Sequence, residues 1–112
     1  METQEVMDNK KIYISGRITG IPIEEAKKKF WEAEEYLKAQ GYEPINPFDK
    51  GLPENSTWEQ HMIKDIELLF GCSDIFMLSN WNESKGAAIE HFIAHKMGMK
   101  IHYNKLNNIK NY

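Results

Sequence analysis

The sequence predicts one α/β domain whose centre is an open parallel sheet of about four to five strands, with helices on both faces. Strand and helix patterns alternate over about ninety residues, and right-handed crossovers would join them into such a sheet. Asp74–Ser79 (DIFMLS) is a nearly continuous apolar run, typical of a strand that is buried on both faces. A chain of 112 residues suits a single domain, assigned here to residues 1–112 with polar tails at 1–10 and 104–112.

The first strand and helix are marked by a change in hydrophobic period. Lys11–Ser15 (KIYIS) is rich in β-branched and aromatic residues and predicts a strand. A helix is predicted over 22–40, because Pro22 suits its first turn and Gly41 its C-terminal stop. The apolar positions that recur at helical spacing are Ala26, Phe30, Ala33 and Leu37.

A short strand and a second helix follow. Tyr42–Asn46 predicts a strand, which Pro44 places at an edge of the sheet, and the breakers in Pro47–Pro53 predict a loop. Ser56–Glu59 has the pattern of a capping box, and the helix that it opens runs to about Phe70. The residues expected on the buried face of this helix are Met62, Ile66 and Leu69.

A third helix and a last strand complete the pattern. Asn80–Ser84 predicts a loop, Lys85–Met97 a helix that Gly98 ends, and Met99–Tyr103 a strand. The residues expected to face inward from the helix are Ile89, Phe92, Ile93 and Met97. The polar segment Asn104–Tyr112 is expected either to fray or to lie on a neighbouring subunit.

The composition excludes several classes of protein. The single cysteine, Cys72, allows neither an intramolecular disulfide nor a zinc site built from cysteines, and packing is its expected role. Fourteen basic and seventeen acidic residues give a net charge of −3, which disfavours binding to a nucleic-acid polymer. No apolar run suits a membrane span, and the polar start does not resemble a secretory signal, so we expect a cytoplasmic protein.

The loop after the first strand is a candidate binding site, because ligands of parallel sheets bind beyond the carboxyl ends of the strands. Gly16 and Gly20 let the backbone approach a ligand closely, and Arg17 and Thr19 suit a phosphate or a sugar hydroxyl. The spacing is neither that of a dinucleotide fingerprint nor that of a P-loop. The alternative is a tight turn with a solvated arginine.

Glu90 is the strongest candidate for chemistry. In the segment Ser84–Glu90, small residues open a helix after the most buried strand. Helical side chains lean towards the N-terminus, so Glu90 can point into the crevice, where partial burial would change its basicity. The alternative is an acid that interacts only with the helix dipole. Trp81, beside the same pocket mouth, is either packed in the core or a platform on which a base stacks.

Other polar residues leave alternatives open. Asp65 is either a second carboxylate that shares nucleophilic and proton-transfer work with Glu90, or a solvated residue. Asp74 opens a strand and is interpreted as a turn or cap residue. His91 and His95 are four residues apart but lack the glutamate and third ligand of a zinc helix, so they are interpreted as surface histidines and no metal is expected.

The chain resembles the nucleoside 2-deoxyribosyltransferase-like superfamily from about residue 11 to residue 101. A small uncharacterised branch carries Y-I-S-G-x-x-T-G, here Tyr13–Gly20, and W-x-x-S-K-G-A-x-x-E, here Trp81–Glu90. The likeness includes the intervening Asn-Pro pair at 46–47. The resemblance implies a flavodoxin-like (Rossmann-like) sheet.

The same resemblance implies cleavage of the N-glycosidic bond of a nucleoside or its 5′-monophosphate. The nucleophilic glutamate of the family falls on Glu90, and its assisting aspartate falls on Asp65. The glutamate would attack the anomeric carbon and form a covalent glycosyl-enzyme, which water or an acceptor base resolves. This chemistry needs no metal or organic cofactor. Family members complete their sites with residues of a neighbour, so a homo-oligomer (a dimer or higher) with shared sites is expected.

One departure bears on the substrate. Members that act on free nucleosides tend to carry an aspartate six positions before the nucleophile, whereas this chain has Ser84, like the similar deoxynucleoside 5′-monophosphate N-glycosidases. A hydroxyl can donate to a phosphate that a carboxylate would repel, which favours a monophosphate. Arg17 and Thr19 stand where those hydrolases place serine and arginine. The expected substrate-binding residues are Ser15, Gly16, Arg17, Thr19, Gly20, Asn46, Trp81, Ser84 and Gly86.

Two functions therefore stay open. The first is an N-glycosidase or deoxyribosyltransferase, and the second is a non-catalytic nucleotide-binding or sensing protein on the same fold. In either case the expected partner is a small nucleoside or nucleotide, and neither a nucleic-acid polymer nor a membrane.

Overall fold

The computed structural model describes residues 10–104 and has an α/β fold with a parallel sheet. In these residues the strands are β1 (Lys11–Ser15), β2 (Glu43–Ile45), β3 (Asp74–Met77) and β4 (Lys100–Tyr103). The helices in the same range are α1 (Ile23–Ala39), α2 (Trp58–Phe70) and α3 (Lys85–Met97). The four strands are parallel in the order β2-β1-β3-β4, as in a flavodoxin-like fold, which confirms the predicted fold class.

The core lies on both faces of the sheet because successive side chains of a strand point to opposite faces. One face packs beneath α1 through Ile12, Ile14, Phe30, Ala33, Leu37, Phe76 and Leu78. The other face packs beneath α2 and α3 through Tyr13, Leu69, Ile75, Met77, Ala87 and Ala94. The central strands β1 and β3 are therefore buried from both sides, as the apolar run in the sequence predicted.

The element boundaries follow the sequence closely in the first half. Helix α1 begins one residue later than expected, with Pro22 as its N-cap, and Gly41 follows its end at a φ of 93°. Strand β2 is shorter than predicted and lies at the edge of the sheet, as Pro44 indicated. The two predicted loops contain short 3₁₀ turns at Pro47–Asp49 and Trp81–Glu83.

The capping box of α2 is one residue later than the sequence pattern suggested. The Thr57 hydroxyl accepts the Gln60 backbone N–H at 3.1 Å, and the Gln60 side chain accepts the Thr57 N–H at 2.8 Å. Ser56 instead donates its hydroxyl to the Pro53 carbonyl at 2.7 Å. Glutamine therefore supplies the reciprocal bond that had been expected from Glu59.

The prediction of the buried face of α3 was wrong for Ile89, Phe92 and Met97, whereas Ile93 packs against the core as expected. The buried residues of this helix are Ala87, Glu90 and Ala94, whereas Phe92 and Met97 are each 60% exposed. Ile89 is also exposed, and Ile93 is half-buried. The reason is steric, because small side chains let α3 pack closely against the central strands, and this orientation turns the bulky residues away.

The buried face of α2 also differs by one position. Met62 and Leu69 are buried as expected, but Asp65 is buried with them and Ile66 is only half-buried. An aspartate can take an inward position only where a partner compensates its charge. The partner is described with the candidate site.

Asp74 is a buried strand residue of β3, and not the turn or cap residue that the sequence suggested. Its carboxylate accepts a hydrogen bond from the Ser73 hydroxyl and lies 2.7 Å from His102 Nε2 on β4. Burial alone would raise the pKa of Asp74, but the hydrogen bonds with Ser73 and His102 outweigh it and lower the pKa. This cluster joins β3 to β4 at the amino end of the sheet.

The predicted C-terminal tail begins one residue too early. Asn104 is buried, and its backbone N–H donates to the Met77 carbonyl at 2.8 Å, which extends the pairing of β4 with β3. The rest of that tail, and residues 1–9 of the N-terminal tail, lie outside the described residues. Within the described part of the chain, no helix is long and apolar enough to cross a membrane.

Candidate active site

A cavity of about 530 Å³ lies at the carboxyl ends of β1 and β3, where the strand order of the sheet reverses. Five parts of the chain form its wall: the end of β1 with the loop that follows, Phe30 of α1, the segment after β2, the first two turns of α2, and the start of α3 with the two residues before it. The polar residues on this wall are Tyr13, Arg17, Thr19, Lys50, His61, Asp65, Glu83, Ser84, Lys85 and Glu90. Its volume falls within the range of roughly 300–1,000 Å³ that is usual for small-molecule sites.

The Glu90 carboxyl group is held by two hydroxyl donors from β1. The side chain is on the inward face of α3, one turn after Ala87, and only 4% of the residue is exposed. The Tyr13 hydroxyl donates to Oε2 at 3.0 Å, and the Ser15 hydroxyl donates to Oε1 at 2.7 Å. Both carboxyl oxygens are therefore fixed in position on the cavity wall.

Burial raises the pKa of Glu90 to about 7 from an ordinary value of 4.5. The negative charge of Asp65 acts in the same direction, while the bonds from Ser15 and Tyr13 and the charge of Lys50 oppose it. The helix-dipole alternative does not describe this residue, since an acid that only complements a dipole would lie exposed in the first turn. Glu90 instead changes its protonation state near neutral pH.

Asp65 and Lys50 form a buried ion pair in the same cavity. Lys50 Nζ lies 2.7 Å from Asp65 Oδ1, and the two side chains are 8% and 10% exposed. Burial raises the pKa of Asp65, although the bond and charge of Lys50 oppose this. The Tyr13 hydroxyl lies close enough to favour the ionised form of Asp65 as well as that of Glu90. Asp65 is therefore neither solvated nor isolated.

The pKa of Tyr13 is well above its ordinary value of 10.0, chiefly because the phenol is buried and then because Glu90 and Asp65 are negative. A phenol in this environment keeps its proton at neutral pH and acts as a donor. Tyr13 therefore donates to Glu90 and lies within reach of the negative charge of Asp65.

The loop after β1 packs tightly against the neighbouring strand. A Cβ on Gly16 would lie 2.5 Å from Leu78 Cδ1, so only glycine fits between the loop and Leu78. The Arg17 backbone N–H donates to Asn80 Oδ1 at 3.2 Å, which connects the loops that follow β1 and β3. The structure thus brings the two strand ends into one wall.

The Arg17 side chain is also held in place at the cavity rim. Its Nε donates to the Thr19 carbonyl at 3.1 Å, and its Nη1 lies 3.4 Å from Glu83 Oε1. Gly20, at a φ of 89°, makes the turn that the sequence suggested, but the arginine is not simply solvated.

The start of α3 forms the opposite side of this rim. Ser84 is the N-cap, and its hydroxyl accepts the Ala87 N–H at 3.1 Å. A Cβ on Gly86 would lie 3.0 Å from Met62 Sδ, so glycine permits the close approach of α3 to α2. The Lys85 ammonium lies 4.5 Å from the centre of the Trp58 ring, a cation–π arrangement.

Most of the predicted site residues meet in this cavity. Those on its wall are Gly16, Arg17, Thr19, Asp65, Ser84, Gly86 and Glu90. Ser15, Gly20, Asn46 and Trp81 are not part of the wall. Ser15 acts on the site through its bond to Glu90.

Asn46 and Trp81 contact other parts of the protein away from the cavity wall, and their expected substrate contacts stay predictions. Asn46 caps the 3₁₀ turn by accepting the Phe48 N–H at 3.0 Å, and its amide donates to Glu34 at 3.1 Å. The Trp81 ring stacks on His91 with centroids 4.2 Å apart, and His91 Nε2 lies 2.7 Å from the Tyr103 hydroxyl. His91 thus belongs to an aromatic cluster and is only half-buried, while His95 is exposed.

Several wall residues were not anticipated. The unanticipated residues with a polar or aromatic side chain are Tyr13, Phe30, Lys50, Trp58, His61, Glu83 and Lys85. A signal for part of this set exists in the sequence, because positions 58, 61, 62 and 65 share one face of a helix. Lys50 has no such signal, since it stands in a loop.

Metal chemistry has no visible site in residues 10–104, where no group of three or more His, Cys, Asp or Glu side chains could hold an ion. Cys72 is half-buried, and burial raises the pKa of its thiol to about 11, so the thiol is unreactive at neutral pH.

A family model described as "Domain of unknown function (DUF4406)" matches residues 10–103 of the chain. The comparison with curated proteins finds no match.

The raised pKa of Glu90 predicts that the carboxyl group costs stability at alkaline pH. The folded chain holds its proton up to about pH 7, whereas the unfolded chain releases it near 4.5, so the free energy of unfolding falls as pH rises between these values. We expect Glu90→Gln, which is neutral at every pH, to raise the Tm at pH 8 and to change it much less at pH 4.5. Thermal unfolding followed by circular dichroism measures both.

The matched control is Glu67→Gln, an exposed residue of α2 paired with Lys64. It should leave the Tm nearly unchanged at both pH values. A lower Tm for Glu90→Gln than for the parent at pH 8 would contradict the prediction.

Proposed function

The chain belongs to the DUF4406 family, and we propose that it cleaves the N-glycosidic bond of a nucleoside, a deoxynucleoside or the corresponding 5′-monophosphate. The observation that carries this proposal is the buried Glu90 carboxyl group, held by Tyr13 and Ser15 on the wall of a cavity that also contains Asp65. A buried carboxyl with both oxygens fixed is suited to attack one carbon atom from a defined direction.

The reaction proceeds in two displacements at the anomeric carbon. A Glu90 oxygen forms a bond to that carbon as the bond to the base nitrogen breaks, through an oxocarbenium-like transition state. The bonds from Tyr13 and Ser15 orient the carboxylate for this attack. Water or an acceptor base then attacks the covalent glycosyl-enzyme, which gives hydrolysis or transfer and restores Glu90.

The rim of the cavity supports a 5′-monophosphate as substrate. Arg17 and Lys85 bring positive charge to the rim, and the N-terminus of α3 begins there at Ser84. Backbone N–H groups at a helix start favour an anion. In the structure, Glu83 pairs with the Arg17 guanidinium. A bound phosphate would replace Glu83 as the partner of this guanidinium.

The resemblance to nucleoside 2-deoxyribosyltransferases supports the proposal from an independent direction. Its nucleophile and assisting aspartate fall on Glu90 and Asp65, two carboxyl groups that line one cavity, where the charge of Asp65 acts on Glu90. We also propose a cytoplasmic location, where nucleoside monophosphates are available to the protein.

An assembly of identical chains, a dimer or higher, with shared sites is part of the proposal. Its support is a set of large apolar side chains that are exposed on α2 and α3: Ile63, Phe70, Ile89, Phe92 and Met97. Burying such residues between copies would remove them from water. Light scattering on the purified protein should give a multiple of 13.1 kDa, and a mass equal to one chain would contradict the assembly.

The proposed nucleophile is tested by turnover. Incubation with a panel of nucleosides and 5′-monophosphates, with and without an acceptor base, should release free base or give an exchanged nucleoside in chromatography. We expect Glu90→Gln to lose activity by at least about 10³-fold, because an amide cannot form the glycosyl-enzyme. Its fold should be intact by circular dichroism.

Glu67→Gln is again the control and should keep the activity of the parent, since it lies outside the cavity. Full turnover by Glu90→Gln would refute the assignment of the nucleophile. No turnover by any form, with thermal stabilisation by nucleotides in both parent and Glu90→Gln, would favour the binding or sensing protein instead.

The preference for a monophosphate is tested at Ser84. Aspartate and asparagine both cap a helix as serine does, but only aspartate adds a negative charge. We expect Ser84→Asp to weaken the use of a 5′-monophosphate by about 10-fold or more in kcat/KM and to spare the free nucleoside, because the carboxylate repels phosphate. Steady-state kinetics on both substrates measure this.

Ser84→Asn is the matched control, which keeps the cap without the charge and should retain the preference of the parent. An equal loss of monophosphate activity in Ser84→Asp and Ser84→Asn would show that charge at this position does not select the substrate.

A further inference from the structure

Lys50 is a buried charge on the cavity wall that the mechanism above does not use. Its side chain is 8% exposed, and its Nζ lies 2.7 Å from Asp65 Oδ1. A lysine is rarely buried to this extent, because removing an ammonium from water is costly even when it is paired. The position of a buried lysine on the wall of a cavity therefore suggests a function other than neutralising Asp65.

The segment that carries Lys50 is held firmly in place. Lys50 follows the 3₁₀ turn Pro47–Asp49, which the Asn46 side chain caps. Asn46 is itself held by Glu34 of α1. The Lys50 backbone is therefore anchored on one side by this cap, and its ammonium is anchored on the other side by Asp65 of α2.

The ion pair affects which group carries a proton. In the ion pair, the Lys50 ammonium is the donor and Asp65 Oδ1 is the acceptor. Asp65 accepts this bond and has no proton of its own to give to a leaving group.

The pair also lies close to the proposed nucleophile. The charges of both Asp65 and Lys50 act on Glu90, and Tyr13, which donates to Glu90, also feels the charge of Asp65. The titratable groups that face the pair from the elements around it are Tyr13 of β1, His61 of α2 and Glu90 of α3. Among these groups and the pair itself, Lys50 is the lysine, and its ammonium carries three hydrogen-bond donors.

We propose that Lys50 is a catalytic residue, whose ammonium donates a hydrogen bond and then a proton to the departing base, and that Asp65 is the positioning residue that holds it. This inference rests on the proposed function and deepens it, because it assigns the proton that N-glycosidic cleavage requires. Lysine suits the role, since its ammonium has three donors and can release a proton.

The proton transfers balance over the two steps. In the first, the bond from the anomeric carbon to nitrogen breaks, its electron pair goes to the base, and the base takes a proton from Lys50 Nζ. In the second, the attacking water or acceptor base loses a proton to the neutral amine as it bonds to the anomeric carbon. Glu90 leaves as a carboxylate, and Lys50 is again an ammonium.

A base that needs no proton on departure tests this assignment. The probes are guanosine 5′-monophosphate and 7-methylguanosine 5′-monophosphate, each as ribose and 2′-deoxyribose forms. The methylated ring carries a fixed positive charge, so its base departs as a neutral molecule without a proton donor. A variant that lacks only the donor should therefore act on the methylated probe and fail on the other.

We expect Lys50→Arg to lower kcat/KM for the unmethylated probe by about 10²-fold or more, which is the usual contribution of a general acid. For the methylated probe, kcat/KM should change by less than about 5-fold. Arginine keeps the positive charge and can pair with Asp65, but it does not release a proton. Lys50→Met, which also removes the charge, should likewise lose activity on the unmethylated probe and keep it on the methylated probe. Glu90→Gln should lose activity on both probes.

Lys64→Met is the control for removing a paired lysine, because Lys64 pairs with Glu67 outside the cavity. It should behave as the parent on both probes. Thermal unfolding establishes that each variant is folded, and Lys50→Arg carries the test if Lys50→Met does not fold.

Three results would overturn the inference while the proposed function stands: an equal loss on both probes in Lys50→Arg, no loss on either probe in Lys50→Arg, or a parent that cleaves only the methylated probe. Each requires that the parent is active and that Glu90→Gln is not. A parent that is inactive on both probes and on the wider panel would overturn the proposed function and this inference together.

Discussion

The burial of one carboxyl group organises the whole site. Removing Glu90 from water is costly, and the hydroxyl donors of Tyr13 and Ser15, together with the charge of Lys50, offset part of that cost. Those donors come from β1, which lies inside the sheet between β2 and β3. The contact between Glu90 and these hydroxyls therefore depends on the order of the strands and on the small inward residues of α3. The other polar groups of the cavity lie around this contact.

The fold could be predicted from the sequence because its signals are local. The apolar run of β3 and the stop at Gly98 each depend on a few neighbouring residues, and the structure confirms them. The orientation of α3 could not be predicted, because large apolar residues such as Phe92 and Met97 normally mark the buried face of a helix. Here Ala87 and Ala94 pack against the sheet while Phe92 and Met97 turn away, and this orientation depends on the space beside the strands, which the helix sequence does not specify.

Site residues that follow the ends of strands could be predicted from the sequence. Residues whose role depends on a contact with a distant part of the chain could not. Arg17 and Ser84 stand beside strands whose carboxyl ends are recognisable in the sequence. Lys50 meets Asp65 across fifteen positions of chain, so a loop lysine gives no sign of its buried partner. Trp81 has the aromatic ring that a base-binding site would use, but it stacks on His91 and is not part of the cavity wall.

Because side chains alternate along β1, the two faces of that strand have different roles. Ile12 and Ile14 fill the core beneath α1, while Tyr13 and Ser15, on the other face, hold Glu90. Because the period is two, inserting or deleting one residue in this strand would exchange the two sets and disrupt both the core and the site. Length changes in this strand should therefore be strongly selected against over evolutionary time.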